Sequence, residues 1–333
     1  MVALFTHLHS THPEITSLPQ PPKASPEAQV PVIACDALFS FEGRPGGVAV
    51  GPDKSIYISD SDASTIWRVA PDGEAERFFT LQRPGPGSDR AGPFGPAGLA
   101  SRSDGSLVVA DPRHHRISLV DTDRSVRVLA GGANGFREGL GNQAMFRLPM
   151  DVAVGADGTI FVADTGNHRI RVISPEGTVA TLAGSIYDYG DGRGAHGRFR
   201  LPGALDVDAA GICYVADTGN NAVRRVAPDG GVTTLAGGPP GGDRDGTGPA
   251  VGLHWPGGVA ATADGSVWVA DFGNGSLRHI TAAGETATVF KIAGVGYPTA
   301  VATLPDGAVV VAGFSPSGLD SHTGCVMIHH DGG

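Results

Sequence analysis

The chain has 333 residues, of which 51 are Gly and 25 are Pro, and its formal net charge is −10. This charge argues against a broad electropositive face, so nucleic acid is not expected as a partner. The Gly and Pro content predicts many turns and little helix, and no apolar run is long enough for a membrane-spanning helix. Three cysteines, Cys35, Cys213 and Cys325, do not make a disulfide framework and fit a reducing cytoplasm.

The chain begins with a segment, residues 1–29, that lacks the continuous apolar core of a signal peptide. Its Pro and Ser content is typical of a flexible or extended arm. The segment that follows, VPVIACDALFSF at residues 30–41, is apolar and strand-like. We therefore expect an arm at 1–29 and one folded domain at 30–333.

A repeated phrase organises the rest of the chain. Its last residue falls at Asp60 (YISD), Asp111 (VVAD), Asp164 (FVAD), Asp217 (YVAD) and Asp271 (WVAD). Intervals of 51, 53, 53 and 54 residues separate these aspartates, and a sixth phrase, VVVAG, ends at Gly313. Six units therefore fill residues 42–333, which indicates a repeat architecture.

Each unit predicts four short antiparallel strands. An inner strand follows a Pro, as in LPMDVAV, and a tight turn, usually with Asp-Gly, leads to an apolar strand such as TIFVAD. A second turn leads to an alternating strand such as HRIRVIS, and a strand such as TVATLAG completes the unit. Arranged radially, the units predict an all-β, six-bladed β-propeller of four-stranded antiparallel blades.

The sixth unit is short of one strand, because CVMIHH runs directly into the closing DGG. The strand-like residues 30–41 are expected to supply the missing strand and close the ring, which protects the sheet edges. Deletion of residues 30–41 is therefore expected to unfold or aggregate the protein.

The phrase VADTGNHRIR, with PEG, TLAG and the following Pro, resembles the NHL repeat. The resemblance covers all six units and is strongest in units two to four. It implies a six-bladed propeller. It implies no single function, because NHL-like propellers include scaffolds, RNA binders, a metal-dependent lyase and relatives of lactonases.

The repeated phrase itself is interpreted as scaffolding. Asp164 ends a strand, and residues 165–167 turn the chain with the residue types that tight turns favour. Arg169 and Arg171 are expected to point outward, and His168 is expected to be a structural turn residue. Function should therefore lie where the units differ.

The units differ most in the loops after the second and fourth strands, which share one face of a propeller, named here the long-loop face. Long, divergent loops occupy residues 82–95, 131–147, 184–200 and 237–254, and unit six inserts residues 313–324. Because binding residues concentrate on loops held by a rigid scaffold, we expect the site on this face, over the axis and beneath an incomplete collar of loops.

The residues just before the inner strands are expected to approach the axial mouth. They are Arg44, Gly95, Arg147–Leu148, Arg200–Leu201, His254–Trp255 and Tyr297. Arg binds carboxylate or phosphate, Trp and Tyr offer flat apolar walls, and His transfers protons near neutral pH. These types predict a pocket for a small organic anion. The alternative is that the arginines pair with loop carboxylates such as Asp191, Asp243 and Asp245.

Further candidates lie on the inner strands and in the loops. Glu42, Asp151 and Asp206 face the inner strands or their starts, and Asp206 replaces a small residue of the other units. It is a candidate general base or metal ligand, or alternatively a carboxylate bound to backbone amides. Tyr187 and Tyr189 are candidates for a lid, with surface decoration as the alternative.

Metal chemistry is disfavoured by the residues just after the inner-strand prolines. The zinc-dependent lyase with an NHL-like propeller places His there in some blades, whereas this chain has Gly46, Ala97, Met150, Gly203, Gly257 and Thr299. EGRP at 42–45 resembles the metal-binding Glu-Gly-Pro of lactonase-like propellers, but the Asn and Asp partners are missing. No cofactor is expected, and Ca²⁺ is the metal that carboxylates would favour.

Two hypotheses of function follow. The first is a metal-independent enzyme or binder of a small, anionic organic molecule, of lyase, cyclase, isomerase or hydrolase type, with no membrane partner, monomeric and cytoplasmic. Its catalytic candidates are His254, Tyr297 and Asp206, and its substrate-binding candidates are Arg44, Arg147, Arg200, Trp255, Phe314, His322, Tyr187 and Tyr189. The second is a protein–protein interaction scaffold, whose long loops form a flat docking face.

Overall fold

The structure, a computed structural model, describes residues 32–33, 38–80, 97–292, 296–316 and 322–329. The predicted arm at 1–29, the loop at 82–95 and Cys35 lie outside the described residues. So does the His322 side chain, although the backbone of this residue belongs to a strand. Helix in the described residues is limited to seven single 3-10 turns.

The described strands form six sheets, which are the six predicted blades. Two strands precede the first blade, β1 (Val32–Ile33) and β2 (Phe39–Glu42). Blade 1 comprises β3 (Pro45–Val50), β4 (Ile56–Asp60), β5 (Thr65–Val69) and β6 (Ala75–Thr80). Blade 2 comprises β7 (Leu99–Ser101), β8 (Leu107–Asp111), β9 (Arg116–Val120) and β10 (Val126–Gly131).

The third, fourth and fifth blades each gain a short extra strand from the loop that precedes them. Blade 3 comprises β11 (Gly139–Leu140), β12 (Pro149–Val154), β13 (Ile160–Asp164), β14 (Arg169–Ile173) and β15 (Thr178–Gly184). Blade 4 comprises β16 (Gly192–Arg193), β17 (Ala204–Val207), β18 (Cys213–Asp217), β19 (Ala222–Val226) and β20 (Gly231–Gly237). Blade 5 comprises β21 (Gly246–Thr247), β22 (Pro256–Ala261), β23 (Val267–Asp271), β24 (Ser276–Ile280) and β25 (Glu285–Ile292).

Blade 6 confirms the predicted closure by an N-terminal strand. It comprises β26 (Tyr297–Thr303), β27 (Val309–Pro316) and β28 (His322–His329). The strand β2 completes this blade, pairing antiparallel with β28 from Phe39↔Val326 to Glu42↔Thr323. The closing strand is shorter than the predicted 30–41, because β1 instead pairs in parallel with β25 of blade 5.

The hydrophobic core lies between neighbouring blades. One buried cluster joins Val108 of blade 2 to Val162 of blade 3, and another joins Val223 of blade 4 to Val269 of blade 5. The second strands, such as β13 and β23, are apolar at every position but the final aspartate and are buried throughout, because both faces of a blade are covered by its neighbours. Glycines with positive φ, such as Gly158 at 84°, close the short turns on the face opposite the long loops.

The repeated phrase builds a buried clamp. Asp217 Oδ2 accepts hydrogen bonds from Asn220 Nδ2 at 2.8 Å and from Arg224 Nη1 at 2.8 Å. Arg224 also donates to the carbonyl oxygens of Arg198 at 3.0 Å and Gly190 at 2.8 Å, which belong to the preceding long loop. The clamp therefore fastens each incoming loop to the blade that follows it.

The same clamp occurs in three consecutive blades. Asp164 and Arg171 form it in blade 3, and Asp271 and Arg278 form it in blade 5, each with Nη1–Oδ2 at 3.0 Å. The side chains of both partners are fully buried. Arg171 is therefore directed into the protein and not outward, which corrects the prediction made from strand alternation. Burial raises the pKa of Asp217 to about 6 although Arg224 opposes this, so the carboxylate stays ionised at pH 7.

Candidate functional site

Three predicted site residues occupy equivalent positions on consecutive blades. The backbone N–H groups of Arg147, Arg200 and His254 donate to Asp164, Asp217 and Asp271 at 2.8, 2.7 and 2.8 Å. Their side chains pack on the glycines of the adjacent turns, where a Cβ on Gly166, Gly219 or Gly273 would come within 2.6 Å of them. The clamp aspartates thus fix these three positions, which are named here the rim.

The residue after each rim position has a left-handed backbone. Leu148, Leu201 and Trp255 all have φ of 51°. Their N–H groups donate to His115 Nδ1 at 3.3 Å, His168 Nδ1 at 3.3 Å and Asn221 Oδ1 at 2.9 Å. His168 therefore anchors the backbone beside the rim, in keeping with its expected structural role, and Asn221 does the same in blade 4.

Arg147 and Arg200 are the cationic members of the rim. Arg147 is exposed, and no described carboxylate lies within ion-pair distance of either guanidinium. Arg200 donates from Nε to the Tyr187 hydroxyl, and its guanidinium lies 4.6 Å from the centre of that ring. The ring of Tyr187 also lies 5.0 Å from His168. Tyr187 thus holds Arg200 on the long-loop face.

The remaining polar candidates lie apart from this pair. Arg44 is neutralised by an ion pair with Asp62 at 3.3 Å. The Tyr189 hydroxyl lies 3.1 Å from Thr234 Oγ1 on β20 of blade 4, and the Arg224 guanidinium lies 5.0 Å from the centre of the Tyr189 ring. Tyr189 therefore belongs to the clamp and not to a lid over the axis.

Aromatic side chains gather where blades 5 and 6 meet. Tyr297 stacks on Phe272 with ring centres 5.0 Å apart, and Phe314 lies 5.5 Å from Tyr297. Phe272 and Phe314 are buried, whereas Tyr297 is 38% exposed. The His254 and Trp255 rings lie 5.1 Å apart beside this cluster. Burial lowers the pKa of His254, so its imidazole is neutral at pH 7.

A channel of about 220 Å³ runs along the propeller axis. Its walls are the inner strands, so small residues such as Gly46, Gly203 and Gly257 line it. Of the predicted catalytic and binding residues, Asp206 lines this channel, whereas the rim and aromatic candidates do not. The residues predicted to share one pocket therefore lie in two places. Asp206 lies in the channel, and the rim and aromatic candidates lie outside it.

Two carboxylates, Asp151 and Asp206, project into the channel wall. Asp151 accepts N–H bonds from Val152 and Leu205, both at 2.9 Å. Asp206 accepts them from Val207 and Ala261, both at 2.8 Å. Each carboxylate therefore joins its own inner strand to that of the next blade. For Asp206 this arrangement agrees with the alternative prediction of a carboxylate bound to backbone amides.

Burial also sets the protonation of these carboxylates. Burial raises the pKa of Asp151 to about 7, with a smaller contribution from the negative charge of Asp206, and raises the pKa of Asp206 to about 6. Both groups consequently exchange protons near neutral pH, as acid–base residues do. Asp206 lies four residues after the proline that begins its inner strand, whereas Asp151 lies two residues after its own. Asp206 is therefore about 7 Å further from the rim than Asp151 is.

The long loops follow a path that the sequence does not predict. The described loops at 131–147, 184–200 and 237–254 run to the outer edge of the next blade, where β11, β16 and β21 pair with β15, β20 and β25. The alternative prediction, in which Arg147 and Arg200 pair with loop carboxylates such as Asp191, Asp243 and Asp245, is also wrong. Asp191 pairs with Arg224, and Asp243 and Asp245 pair with Arg278.

The described residues do not suit a divalent metal. Nowhere in the described part of the chain do three His, Cys, Asp or Glu side chains come together as a metal site. The carboxylate oxygens of Asp151 and Asp206 are already engaged by backbone amides. The residues after the inner-strand prolines, such as Met150 and Thr299, add no carboxylate or amide ligand.

The sequence did not predict the burial of Arg171, and Arg224 and Arg278 were not identified as candidates. Their signal is a fixed spacing, because each lies seven residues after the aspartate that ends a second strand. Blade 2 has Ser118 and blade 1 has Trp67 at this position. The spacing therefore marks the three blades that follow the described long loops.

A family model for the SMP-30/Gluconolactonase/LRE-like region matches residues 45–307. The chain belongs to this family. Among curated proteins, NHL repeat-containing protein 2 of Homo sapiens is 41% identical over 80 residues, which are 23% of this chain and 11% of that protein. Protein SUPPRESSOR OF QUENCHING 1 of Arabidopsis thaliana is 32% identical over 146 residues, 39% of this chain and 14% of that protein. The matches confirm the NHL resemblance but span a small part of those relatives.

Solved structures share the fold of this SMP-30/gluconolactonase-like chain. A gluconolactonase from Xanthomonas campestris has a TM-score of 0.64 and 15% identity, covering 88% of this chain and 89% of that chain. Virginiamycin B lyase from Staphylococcus aureus has a TM-score of 0.56 and 14% identity, covering 87% and 98%. At such identities the likeness concerns the propeller alone. No helix in the described residues has the length and apolarity that a bilayer span requires.

Proposed function

We propose that the chain binds a small organic anion at the rim on the long-loop face and acts on it by positioning and acid–base chemistry. The observation that carries the proposal is the rim itself. Arg147, Arg200 and His254 are held by equivalent hydrogen bonds to buried aspartates on three consecutive blades. These bonds fix the backbone of the three residues, and the Cγ atom of each side chain packs on a turn glycine, so less conformational freedom is lost when the side chains bind an anion.

Arg147 and Arg200 would hold the anion, because a guanidinium donates to a carboxylate through two parallel N–H groups. His254 is neutral at pH 7 and would accept or return a proton at its ring nitrogen, with the Tyr297 hydroxyl as a second proton-transfer group. Asp206, deeper in the channel, would exchange protons with the site through water, since its pKa lies near neutrality. The reaction would be of lyase, cyclase, isomerase or hydrolase type, and membership of the SMP-30/Gluconolactonase/LRE-like family makes the hydrolysis of a lactone the first to be tested.

The binding experiment measures thermal stabilisation by gluconate and other small carboxylates, because a ligand that binds only the folded state raises the melting temperature. The matched pair of variants is Arg147→Ala at the rim and Arg193→Ala on β16. Arg193 is also exposed but pairs with Asp229 at the outer edge of blade 4. We expect Arg147→Ala to lose the stabilisation and Arg193→Ala to keep it. Equal loss in both variants, or no stabilisation of the wild type, would count against the site.

The chemical experiment follows proton release from glucono-1,5-lactone at constant pH. Catalysis through His254 predicts that His254→Gln loses most of the rate, since general acid–base groups contribute about 10²–10⁴-fold. His279→Gln is the control, because His279 contacts Ser266 on the opposite side of blade 5. An unchanged rate in His254→Gln would remove this residue from the proposed chemistry.

A second candidate, the protein interaction scaffold, is favoured by exposed apolar side chains on the long loops. Phe136 is 47% and Ile186 is 54% exposed. This candidate predicts that Ile186→Ser weakens association with a partner protein, while Arg147→Ala leaves it unchanged. Gluconate binding that depends on Arg147 would favour the first candidate.

A further inference from the structure

We propose that a cleft between blades 2 and 3, on the face opposite the long loops, binds a medium-chain alkyl carboxylate. Both blades line this cleft, and none of the rim residues does. The ligand therefore goes beyond the proposed function and does not depend on it.

The cleft exists because blades 2 and 3 meet less closely than the blades that follow. In blade 4, a Cβ on the turn residue Gly230 would lie 2.7 Å from the carbonyl oxygen of Leu182 in blade 3, and the equivalent approach between blades 4 and 5 is 2.6 Å. In blade 3 the equivalent turn residue is Gly177. A Cβ there would meet Leu140 Cδ1 at 3.7 Å and no atom of Leu129, the leucine of blade 2 that corresponds to Leu182.

The floor of the cleft is apolar. Leu129, Ile160 and Ile173 line it, and all three belong to the hydrophobic cluster that joins blades 2 and 3. Ile160 and Ile173 are buried and Leu129 is half-buried, so the cleft opens directly onto the core. An alkyl chain placed here would displace water from these side chains, which is favourable in proportion to the apolar area covered.

The volume of the cleft sets the length of the chain. It is about 300 Å³. At about 30 Å³ for each water-sized group, roughly ten such groups fit. Octanoate has this number of non-hydrogen atoms, so one molecule of this size reaches from the floor to the mouth.

The mouth of the cleft carries more positive than negative side chains, since Arg102, Arg127 and Asp157 line it. Arg102 interacts electrostatically with Asp104 but forms no ion pair in the described part of the chain. Arg127 reaches Asp121 only at 3.9 Å, and both of these side chains are exposed. Asp157 accepts a backbone N–H and a hydroxyl of its own turn, both at 2.9 Å. A carboxylate head group therefore meets two guanidinium groups that can donate to it.

These groups select the ligand class. A sugar acid would place hydroxyl groups against Ile160 and Ile173, where they would lose hydrogen bonds to water. A neutral alkyl chain would fill the floor and leave Arg102 and Arg127 without an anion. An alkyl carboxylate satisfies both parts of the one cleft.

The test compares octanoate, butyrate and 1-octanol by calorimetry on the full chain at one ionic strength. Each buried methylene contributes up to about a fourfold gain in affinity, and a charge-assisted hydrogen bond about tenfold. We therefore expect octanoate to bind roughly tenfold or more tightly than either of the other probes.

Variants locate the bound molecule. The double variant Arg102→Gln/Arg127→Gln should weaken octanoate roughly tenfold and leave 1-octanol unchanged, while Arg147→Ala at the rim should leave octanoate unchanged. Leu129→Phe fills the cleft and should weaken octanoate and 1-octanol alike. If Leu129→Phe does not fold, methyl NMR of the wild type replaces it, and octanoate should shift the signals of Ile160 and Ile173.

Three results would overturn the inference. The first is that octanoate does not bind or binds no better than butyrate. The second is that octanoate and 1-octanol bind equally, which would show that the cleft accepts any apolar group, such as a side chain of a partner protein. The third is that Arg147→Ala abolishes octanoate binding, which would place octanoate at the rim and leave the proposed function standing.

Discussion

The clamp between Asp217 and Arg224 gives the sharpest stability prediction, and the perturbation is Arg224→Met. Arg224 is fully buried and makes four hydrogen bonds: two to carbonyl oxygens of the 184–200 loop and one each to Asp217 and Asp191. Methionine fills much of the volume but leaves the buried carboxylate of Asp217 without its cation. Loss of one partner of a buried ion pair costs about 3–5 kcal/mol of unfolding free energy.

The assay is equilibrium unfolding in urea, with the free energy extrapolated to water. The matched control is Arg225→Met, because Arg225 is the next residue on β19 and donates a single hydrogen bond, to the Ala282 carbonyl oxygen at 2.7 Å. That loss should cost about 1 kcal/mol. The double variant Asp217→Asn/Arg224→Met should cost less than the sum of its single variants, since the two residues are coupled. Equal small losses in Arg224→Met and Arg225→Met would refute the clamp.

Three further predictions concern the channel, the rim anchor and ring closure. Because burial raises the pKa of Asp206 from 3.8 to about 6, its stabilising protonation is complete below about pH 4 and is lost as pH rises through about 6. Asp206→Asn should therefore reduce the fall in unfolding free energy between pH 4 and 7 by about 2 kcal/mol, measured in urea, and an unchanged fall would contradict the raised pKa. His168→Asn should keep amide exchange at Leu201 slow, because Asn221 accepts the equivalent N–H bond of Trp255, whereas His168→Leu should accelerate it. Equal exchange in both variants would show that the anchor is unimportant. Deletion of residues 30–42 should yield aggregating protein by light scattering, because it exposes the edge of β28, and a monodisperse folded product would contradict closure by β2.

The blade count and strand order are predictable because they depend on local signals. Each blade repeats a proline, a tight turn and an aspartate at nearly constant spacing. The position of one blade along the sequence therefore predicts the positions of the others. The closing strand was likewise predictable, since a sheet edge in blade 6 needed a partner. Its shorter bounds reflect the pairing of β1 with blade 5, which no local pattern indicates.

The loop paths were not predictable, because they depend on contacts between distant segments. The two-residue strands β11, β16 and β21 are too short to carry a periodic signal. Alternation places Arg169 and Arg171 on the same side of β14, but it does not reveal that a loop from the preceding blade covers Arg171. The burial of the clamp arginines follows from that cover.

The candidate site was predictable in part. Arg147, Arg200 and His254 were identified from their place before the inner strands, and the structure gives them equivalent environments. The aromatic contacts of Tyr297 and Phe314 depend on Phe272, which the sequence analysis did not single out because it replaces the threonine of the repeated phrase. A departure from the repeat in blade 5 thus supplies the ring on which Tyr297 stacks.

The most direct test of the proposed binding site is a crystal structure of the full chain with gluconate. We predict that the gluconate carboxylate lies within hydrogen-bond distance of the Arg147 or Arg200 guanidinium. Density for the ligand in an interblade cleft on the opposite face, with the rim unoccupied, would contradict it.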